Sequence, residues 1–255
     1  MNYLAIDVGG TFTKYAVISD ECEILKKDRK PTVQDTREHF IDFLADLWEE
    51  QSRQTELAGI ALSMAGMIDS RKGFMYTGGN IRCITNLNIV EVMEKRCGVH
   101  VTVENDARCA ALAELWQGSL KDCRNAVVIV CGTGVGGAVI RNREVLCGSH
   151  FLAGEFSYTL TEDGDGYRLG DCLAEKAGIR ALIEYTAEST GIPAGELDGE
   201  KIFSLANCGD EKAIAGIRRY VRHIAIQIHN DQYTLDPERF AIGGGISVQP
   251  LFLQL

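Results

Sequence analysis

Two stretches of the chain follow one plan: LAIDVGGTFTKYAVIS near the start and AVVIVCGTGVGGAVIRNREVL near the middle. In each, an apolar β-forming run meets a glycine turn and then resumes, which reads as strand, tight turn, strand. A supersecondary unit that occurs in both halves predicts duplicated lobes facing each other across a cleft. In the first copy the strands fall at residues 4–6 and 12–18. Gly9 and Gly10 between them lack a Cβ and let the backbone come close to a neighbour. A simple hairpin prefers a two-residue Asn-Gly or Asp-Gly turn, whereas here Asp7 precedes the glycines and Thr11 follows them. Backbone N–H groups, a hydroxyl and a carboxylate around a glycine turn suit a phosphate and its metal ion. An ordinary hairpin explains this stretch equally well when it is taken alone.

The intervening sequence alternates strand and helix signals, the mark of an α/β protein. Residues 36–51 place Phe40, Phe43, Leu44, Leu47 and Trp48 at helical spacing, so one face packs inward. Residues 57–63 read as a short buried strand followed by the loop SMAGMID, and residues 90–96 as a helix. VHVTVEND is a strand that runs directly into the helix DARCAALAELWQG, with Gly118 as its C-terminal stop. These signals divide the chain into a first unit at residues 1–118 and a second at 119–255.

The second glycine turn contains Gly132, Gly134 and Gly137 in the order G-x-G-x-x-G. As a dinucleotide fingerprint this must open a helix, yet the chain continues as AVIRNREVL, a strand. Neither turn has the Gly-Lys-Ser/Thr ending of a P-loop. Two glycine hairpins, one per lobe, could instead hold a nucleotide's phosphates between them. Near the end, ERFAIGGGIS is another strand meeting three glycines, where either flat approach to an adenine ring or a plain turn accounts for the run. Residues 213–230 form a long helix whose His223 and His229 are six apart, the wrong spacing for a shared metal face, so both read as structural or solvated.

Composition excludes several partners. The formal net charge is −10 and no Lys/Arg cluster occurs, which argues against nucleic acid or an acidic membrane surface. Nine cysteines are scattered without a CxxC pair, so neither a disulfide framework nor a zinc knuckle is indicated. Reduced thiols are the simplest account. Asp7 breaks the N-terminal apolar run too early for a secretory leader, and no stretch has transmembrane length. A cytoplasmic protein is the expectation.

DVGGT, SMAG, ENDA, CGTGVGG, AGE and IGGG occur in the order and spacing of the ROK family of sugar kinases and repressors, and the chain resembles that family over nearly its whole length. GGNIRCITNLNI and AGEFSY are most similar to the family's bacterial β-glucoside kinases, which phosphorylate cellobiose and related β-glucosides on the 6-hydroxyl. The resemblance implies the two-lobed actin-like ATPase and hexokinase fold, ATP and Mg²⁺ as cofactors, a small-molecule sugar as substrate, and a homodimer. It implies that Asp106 is the catalytic base, and that Gly66, Asn80, Asn105, Asp106, Glu155 and Tyr158 contact the sugar. Asp7 would help to hold Mg²⁺ through the nucleotide. Gly9, Gly10, Thr11 and Lys14 would meet the phosphates, as would Gly132, Thr133, Gly134 and Gly136 from the other lobe, and Gly243, Gly244 and Gly245 would flank the adenosine. The position of Asp106 at a helix N-terminus is expected to keep it ionised.

The departures from the family carry their own expectations. Many relatives have a zinc motif that begins with a His three residues beyond the Glu of AGE. Here that place is Tyr158, and the later segment RLGDCLAEKAG keeps only Cys172. A zinc site needs about four N/S ligands, so no structural zinc is expected. Tyr158 would either stack on a second sugar ring or sit in the core. The family continues some tens of residues beyond IGGGIS, whereas this chain stops at Leu255. A repressor of the family would need a DNA-binding segment before DVGGT, yet only six residues precede Asp7. Besides a β-glucoside kinase, the alternatives are a glucokinase, an N-acetylmannosamine kinase, or a non-catalytic sugar-binding homologue.

Overall fold

The computed structural model describes residues 1–162 and 169–255. The chain forms two compact units, Met1–Cys109 and Ala110–Leu255, and the division falls within the helix that precedes Gly118. Among the described residues, no helix is long and apolar enough to cross a membrane.

The first unit opens with β1 (Asn2–Val8), β2 (Phe12–Ser19), β3 (Ile24–Pro31) and α1 (Arg37–Ser52). It continues through β4 (Gly59–Met64), β5 (Ile68–Asp69), β6 (Phe74–Met75), β7 (Leu87–Asn88), α2 (Ile89–Cys97) and β8 (His100–Asn105). α3 (Asp106–Trp116) follows β8 directly, without a linker. The main sheet has the order β3-β2-β1-β4-β8, in which β1 is antiparallel to β2 and parallel to β4, and β4 is parallel to β8.

Strand alternation sorts the side chains onto two faces. Leu4, Ile6 and Val8 of β1, Ile60, Leu62 and Met64 of β4, and Val101 and Val103 of β8 pack with Phe40, Leu44 and Leu47 of α1 and Met93 of α2. Burial of each such side chain contributes about 1.5–3 kcal/mol before entropy is counted. On the opposite face the register pairs Lys14 with Asp7, Asp7 with Ser63, and Ser63 with Glu104, a polar row across four strands. Thr36 caps α1 by accepting the His39 N–H at 3.1 Å, an arrangement worth about 1 kcal/mol.

The second unit contains β9 (Ala126–Cys131), β10 (Val135–Arg141), β11 (Glu144–Val145), α4 (Leu173–Lys176), α5 (Ile179–Thr190), α6 (Gly199–Asn207), α7 (Glu211–Leu235) and β12 (Arg239–Gly243). Its sheet has the order β11-β10-β9-β12, with β9 antiparallel to β10 and parallel to β12. This matches the β3-β2-β1-β4 part of the first sheet strand for strand, so the sequence repeat is a repeat of topology. A strand follows the second glycine turn, as the rejection of the dinucleotide reading requires. Val127, Ile129 and Cys131 of β9 pack against Leu182 of α5, Phe203 of α6, and Ile217 and Tyr220 of α7. His223 is buried, while His229 is exposed with its ring 4.9 Å from that of Tyr233. Both therefore fit the structural or solvated reading.

Candidate active site

Ligands of open α/β sheets gather at the carboxyl ends of parallel strands. In the first unit β1, β4 and β8 all end at the same edge, because Val8 pairs with Met64 and Met64 with Asn105. Asp7 stands one residue before the end of β1, where Ser63 Oγ donates to its Oδ1 at 2.9 Å and Lys14 Nζ lies 3.7 Å from its Oδ2. The β1–β2 turn follows at once. Its Gly9, Gly10 and Thr11 carbonyls accept from Thr32 Oγ1 at 2.6 Å, Gln34 Nε2 at 2.9 Å and the Thr32 N–H at 3.0 Å. Gly9 itself admits no side chain, since a Cβ there would lie 2.8 Å from the Phe12 carbonyl oxygen.

At the end of β8, Asn105 is buried and closes α3. Its Oδ1 accepts the N–H groups of Ala107 at 3.0 Å and Arg108 at 3.2 Å, and its Nδ2 donates to the Gly66 carbonyl at 3.2 Å. Asn105 therefore serves first as a helix cap that ties the SMAG loop to α3. Gly66 has φ +118°, and a Cβ there would meet the Thr77 carbonyl oxygen at 2.2 Å, so only glycine fits. Asn80 comes near the turn as well, its Cβ 4.0 Å from where a Gly10 Cβ would stand.

Asp106 is solvent-accessible, and its Oδ1 accepts the Ala107 N–H at 2.9 Å. Crowding by the surrounding protein pushes its carboxyl above the usual range, and the Asp7 charge pushes the same way, against the Ala107 hydrogen bond. Desolvation and a neighbouring carboxylate thus act on Asp106 against its hydrogen bond at the helix N-terminus. A raised carboxyl is better matched to accepting a proton near neutral pH. The first unit thus brings together Asp7, Gly9, Gly10, Thr11, Lys14, Gly66, Asn80, Asn105 and Asp106, all identified in the sequence. It adds Thr32 and Gln34, which no sequence motif marks, and Ser63 and Glu104, which lie in SMAG and ENDA but were not assigned a role. Ser63 was legible in principle, because pairing β1 with β4 in parallel sets it beside Asp7.

In the second unit the β9–β10 turn is braced on α5. The Gly132 N–H donates to the Gly134 carbonyl at 2.9 Å, and the Gly132 carbonyl accepts the Ile179 N–H at 3.1 Å. Thr133 is exposed at the tip, and Gly136 pairs with Val130 in the ladder. Gly243 ends β12 opposite the same Val130, which brings the Gly243, Gly244 and Gly245 run beside the turn. Gly244 has φ +95° and sits so close to Cys131 that a Cβ would lie 2.1 Å from its carbonyl oxygen. By contrast, a Cβ on Gly132, Gly243 or Gly245 would meet nothing within 4 Å, so the backbone there faces open space.

Glu155 opens a single helical turn at Phe156–Tyr158, its carbonyl accepting the Tyr158 N–H at 3.2 Å. Tyr158 is 60% exposed, which removes the core reading for it. The chain beyond is held by α7: Thr159 Oγ1 donates to Gln227 Oε1 at 2.5 Å, and Gln227 Nε2 donates to Asp231 Oδ1 at 3.0 Å. Thr161 Oγ1 shares a 2.9 Å hydrogen bond with His223 Nδ1. Burial pushes the His223 imidazole down and the Asp231 carboxyl up. Among the described residues no group of three or more His, Cys, Asp or Glu is arranged to hold a metal ion. Residues 163–168, inside the segment for which the sequence predicts no zinc, lie outside the described residues.

The ROK family matches residues 3–255. A β-glucoside kinase of Listeria monocytogenes is 34% identical over 255 residues, covering 99% of this chain and 85% of that protein. A β-glucoside kinase of Klebsiella pneumoniae is 32% identical over 260 residues, covering 100% of this chain and 85% of that protein. Among solved structures, a ROK family glucokinase from Streptomyces griseus in complex with glucose and AMPPNP superimposes with a TM-score of 0.86 at 26% identity. That match covers 100% of this chain and 86% of that one.

Proposed function

The chain belongs to the ROK family and is a sugar kinase, and we propose that its acceptor is the 6-hydroxyl of a β-glucoside such as cellobiose. Its fold is the actin-like ATPase fold. The observation that carries the chemistry is the placement of Asp106 at the end of β8, with a raised carboxyl and with Asp7 in its electrostatic reach. The β-glucoside reading is supported by the relatives at 34% and 32% identity and by the exposed Tyr158 ring.

The residues present fit a nucleotide with its metal. Within the second unit, the open backbone at Gly132, Gly243 and Gly245 leaves room for phosphates and a base; within the first, Gly9, Gly10, Thr11 and Lys14 of the β1–β2 turn are assigned to phosphates. Asp7 would hold Mg²⁺ through the nucleotide, and Thr133, Gly134, Gly136 and Gly244 are assigned to the nucleotide as well. ATP supplies the phosphoryl group and Mg²⁺ neutralises its oxygens. Asp106 accepts the proton of the sugar hydroxyl as that oxygen attacks. Phosphoryl transfer is dominated by positioning and charge stabilisation, so a carboxylate within hydrogen-bond reach suffices. Gly66, Asn80, Asn105, Glu155 and Tyr158 are assigned to the sugar. An unpaired hydroxyl partner is costly in such a site, which is how it discriminates.

Glucose is the second reading, favoured by the likeness to the glucose complex of the Streptomyces griseus glucokinase. An ADP-release assay against hexoses, N-acetylhexosamines and β-glucosides tests both. Preference for cellobiose or an aryl β-glucoside is expected, and turnover of glucose with cellobiose inert would reject the β-glucoside assignment.

A further inference from the structure

Arg108 is the largest side chain among those fully buried in the described residues, at 1% exposure, and it sits in the first turn of α3. A cation there opposes the helix dipole, and burial of a guanidinium is expensive, so helix stability does not account for it. Its Nη1 lies 3.5 Å from Oε1 of Glu104, the last residue but one of β8. That Oε1 also accepts the Asn105 N–H at 2.7 Å, and Oε2 accepts Ser70 Oγ at 2.8 Å. Arg108's own N–H meanwhile bonds the Asn105 side chain at 3.2 Å. Asp106 is thus enclosed in sequence by residues that the ion pair fixes: Glu104 and Asn105 before it, Arg108 after it.

We propose that the pair of buried Arg108 and half-buried Glu104 is a positioning device that sets the backbone at the β8–α3 junction and with it the direction of the Asp106 carboxylate. Buried ion pairs contribute little net stability but can impose one geometry, and a proton acceptor needs one geometry. The pair does not touch the substrate and acts only through Asp106. The proposal rests on the kinase reading for its kinetic consequences but not for its structural content.

The test is a double-mutant cycle. Arg108→Met, which removes the charge and keeps comparable bulk, is expected to lower kcat by roughly 10–100-fold with KM for sugar and ATP within about twofold. In an Asp106→Asn background the same change is expected to lower kcat by less than about threefold, because the group that it positions is gone. Unchanged kcat in the single variant, or an equal fall in both backgrounds, would overturn the proposal. If Arg108→Met does not fold, Arg108→Lys, which keeps the charge but loses the planar fork, carries the same cycle, and the same outcomes uphold or overturn the proposal. If the wild-type chain phosphorylates no sugar, the kinase reading fails, and the pair is judged instead by NMR titration of the Asp106 carboxyl. A higher titration midpoint in the Arg108 variant upholds the proposal; an unmoved one rejects it.

Discussion

Ser63 Oγ donates a 2.9 Å hydrogen bond to Asp7 Oδ1, and the two residues are register partners on neighbouring parallel strands. The bond occupies one carboxylate oxygen and leaves the other towards Lys14, at 3.7 Å. Asp7 thereby has one fixed orientation, which is what a group recruited to a hydrated metal ion requires. Ser63→Ala is expected to raise the Mg²⁺ concentration for half-maximal activity by about 10-fold, as loss of a ligand's hydrogen-bond partner commonly does. Mg²⁺ titration of initial rates checks this, and an unchanged requirement would detach Ser63 from the metal.

Asp106→Asn is expected to lose roughly 10²–10⁴ in kcat while sugar binding largely survives, since only the proton acceptor is removed. Its pH dependence has a definite sign. The proposed base would work ionised, and desolvation by its surroundings together with Asp7 raises its carboxyl, so kcat/KM is expected to fall as pH drops through a midpoint above the ordinary Asp range. Asp7→Asn removes the repulsive neighbour and should move that acidic limb to lower pH in whatever activity remains.

Tyr158, at 60% exposure, offers an aromatic face next to the Glu155 turn. Tyr158→Ala is expected to cost cellobiose more than glucose in kcat/KM, by about 1–2 kcal/mol if a ring contact to the second sugar is lost. Equal losses on both substrates would leave Tyr158 without a role in acceptor length.

The buried groups of α7 predict how stability follows pH. Burial lowers His223, with Lys176, Arg219 and Arg222 adding to the effect and Glu162 opposing it. The unfolded chain therefore binds the proton more readily. The stability contributed by neutral His223 is complete above the unfolded value, about 6.5, and is lost as pH falls below it toward the folded value. Asp231 is raised by burial, so the folded chain holds its proton more tightly and stability falls as pH rises through the window above the ordinary Asp value. Asp231→Asn keeps an acceptor for Gln227 and removes the charge, so the melting temperature at pH 7 is expected to hold or rise. His223→Gln should flatten the decline between about pH 6.5 and 5. Melting curves from pH 5 to 8 decide both, and a drop in Asp231→Asn at pH 7 would count against the assignment.

The elements with strong periodicity were legible in the sequence: α1, α7, the two glycine hairpins and the β8–α3 junction all lie where alternation or a helical stripe put them. β3 was not, because ILKKDRKP has no alternation. As an edge strand it meets solvent, and its charges protect an open edge rather than mark a face. β5, β6 and β7, only two residues each, are below the length at which period means anything. Ser63 and Glu104 lie within SMAG and ENDA, yet their contacts with Asp7, Ser70 and Arg108, like the burial of Arg108, come from folding and not from position in the chain. Asp106 shows the same limit: its helix N-terminus is visible in the chain, but the desolvation and the Asp7 charge that act against it are products of folding.

The polar row Lys14, Asp7, Ser63, Glu104 is set in line by backbone pairing, one residue from each of four adjacent strands. Side chains alternate faces along a strand, so one inserted or deleted residue in β1, β4 or β8 would turn its member of the row into the apolar layer beneath and bring a Leu, Ile or Val out in its place. Substitution can adjust this row a step at a time; a change of length cannot. The strands leading to the carboxyl edge therefore behave as rulers, and variation in length among chains of this architecture belongs in the connections, where no count of residues has to be kept.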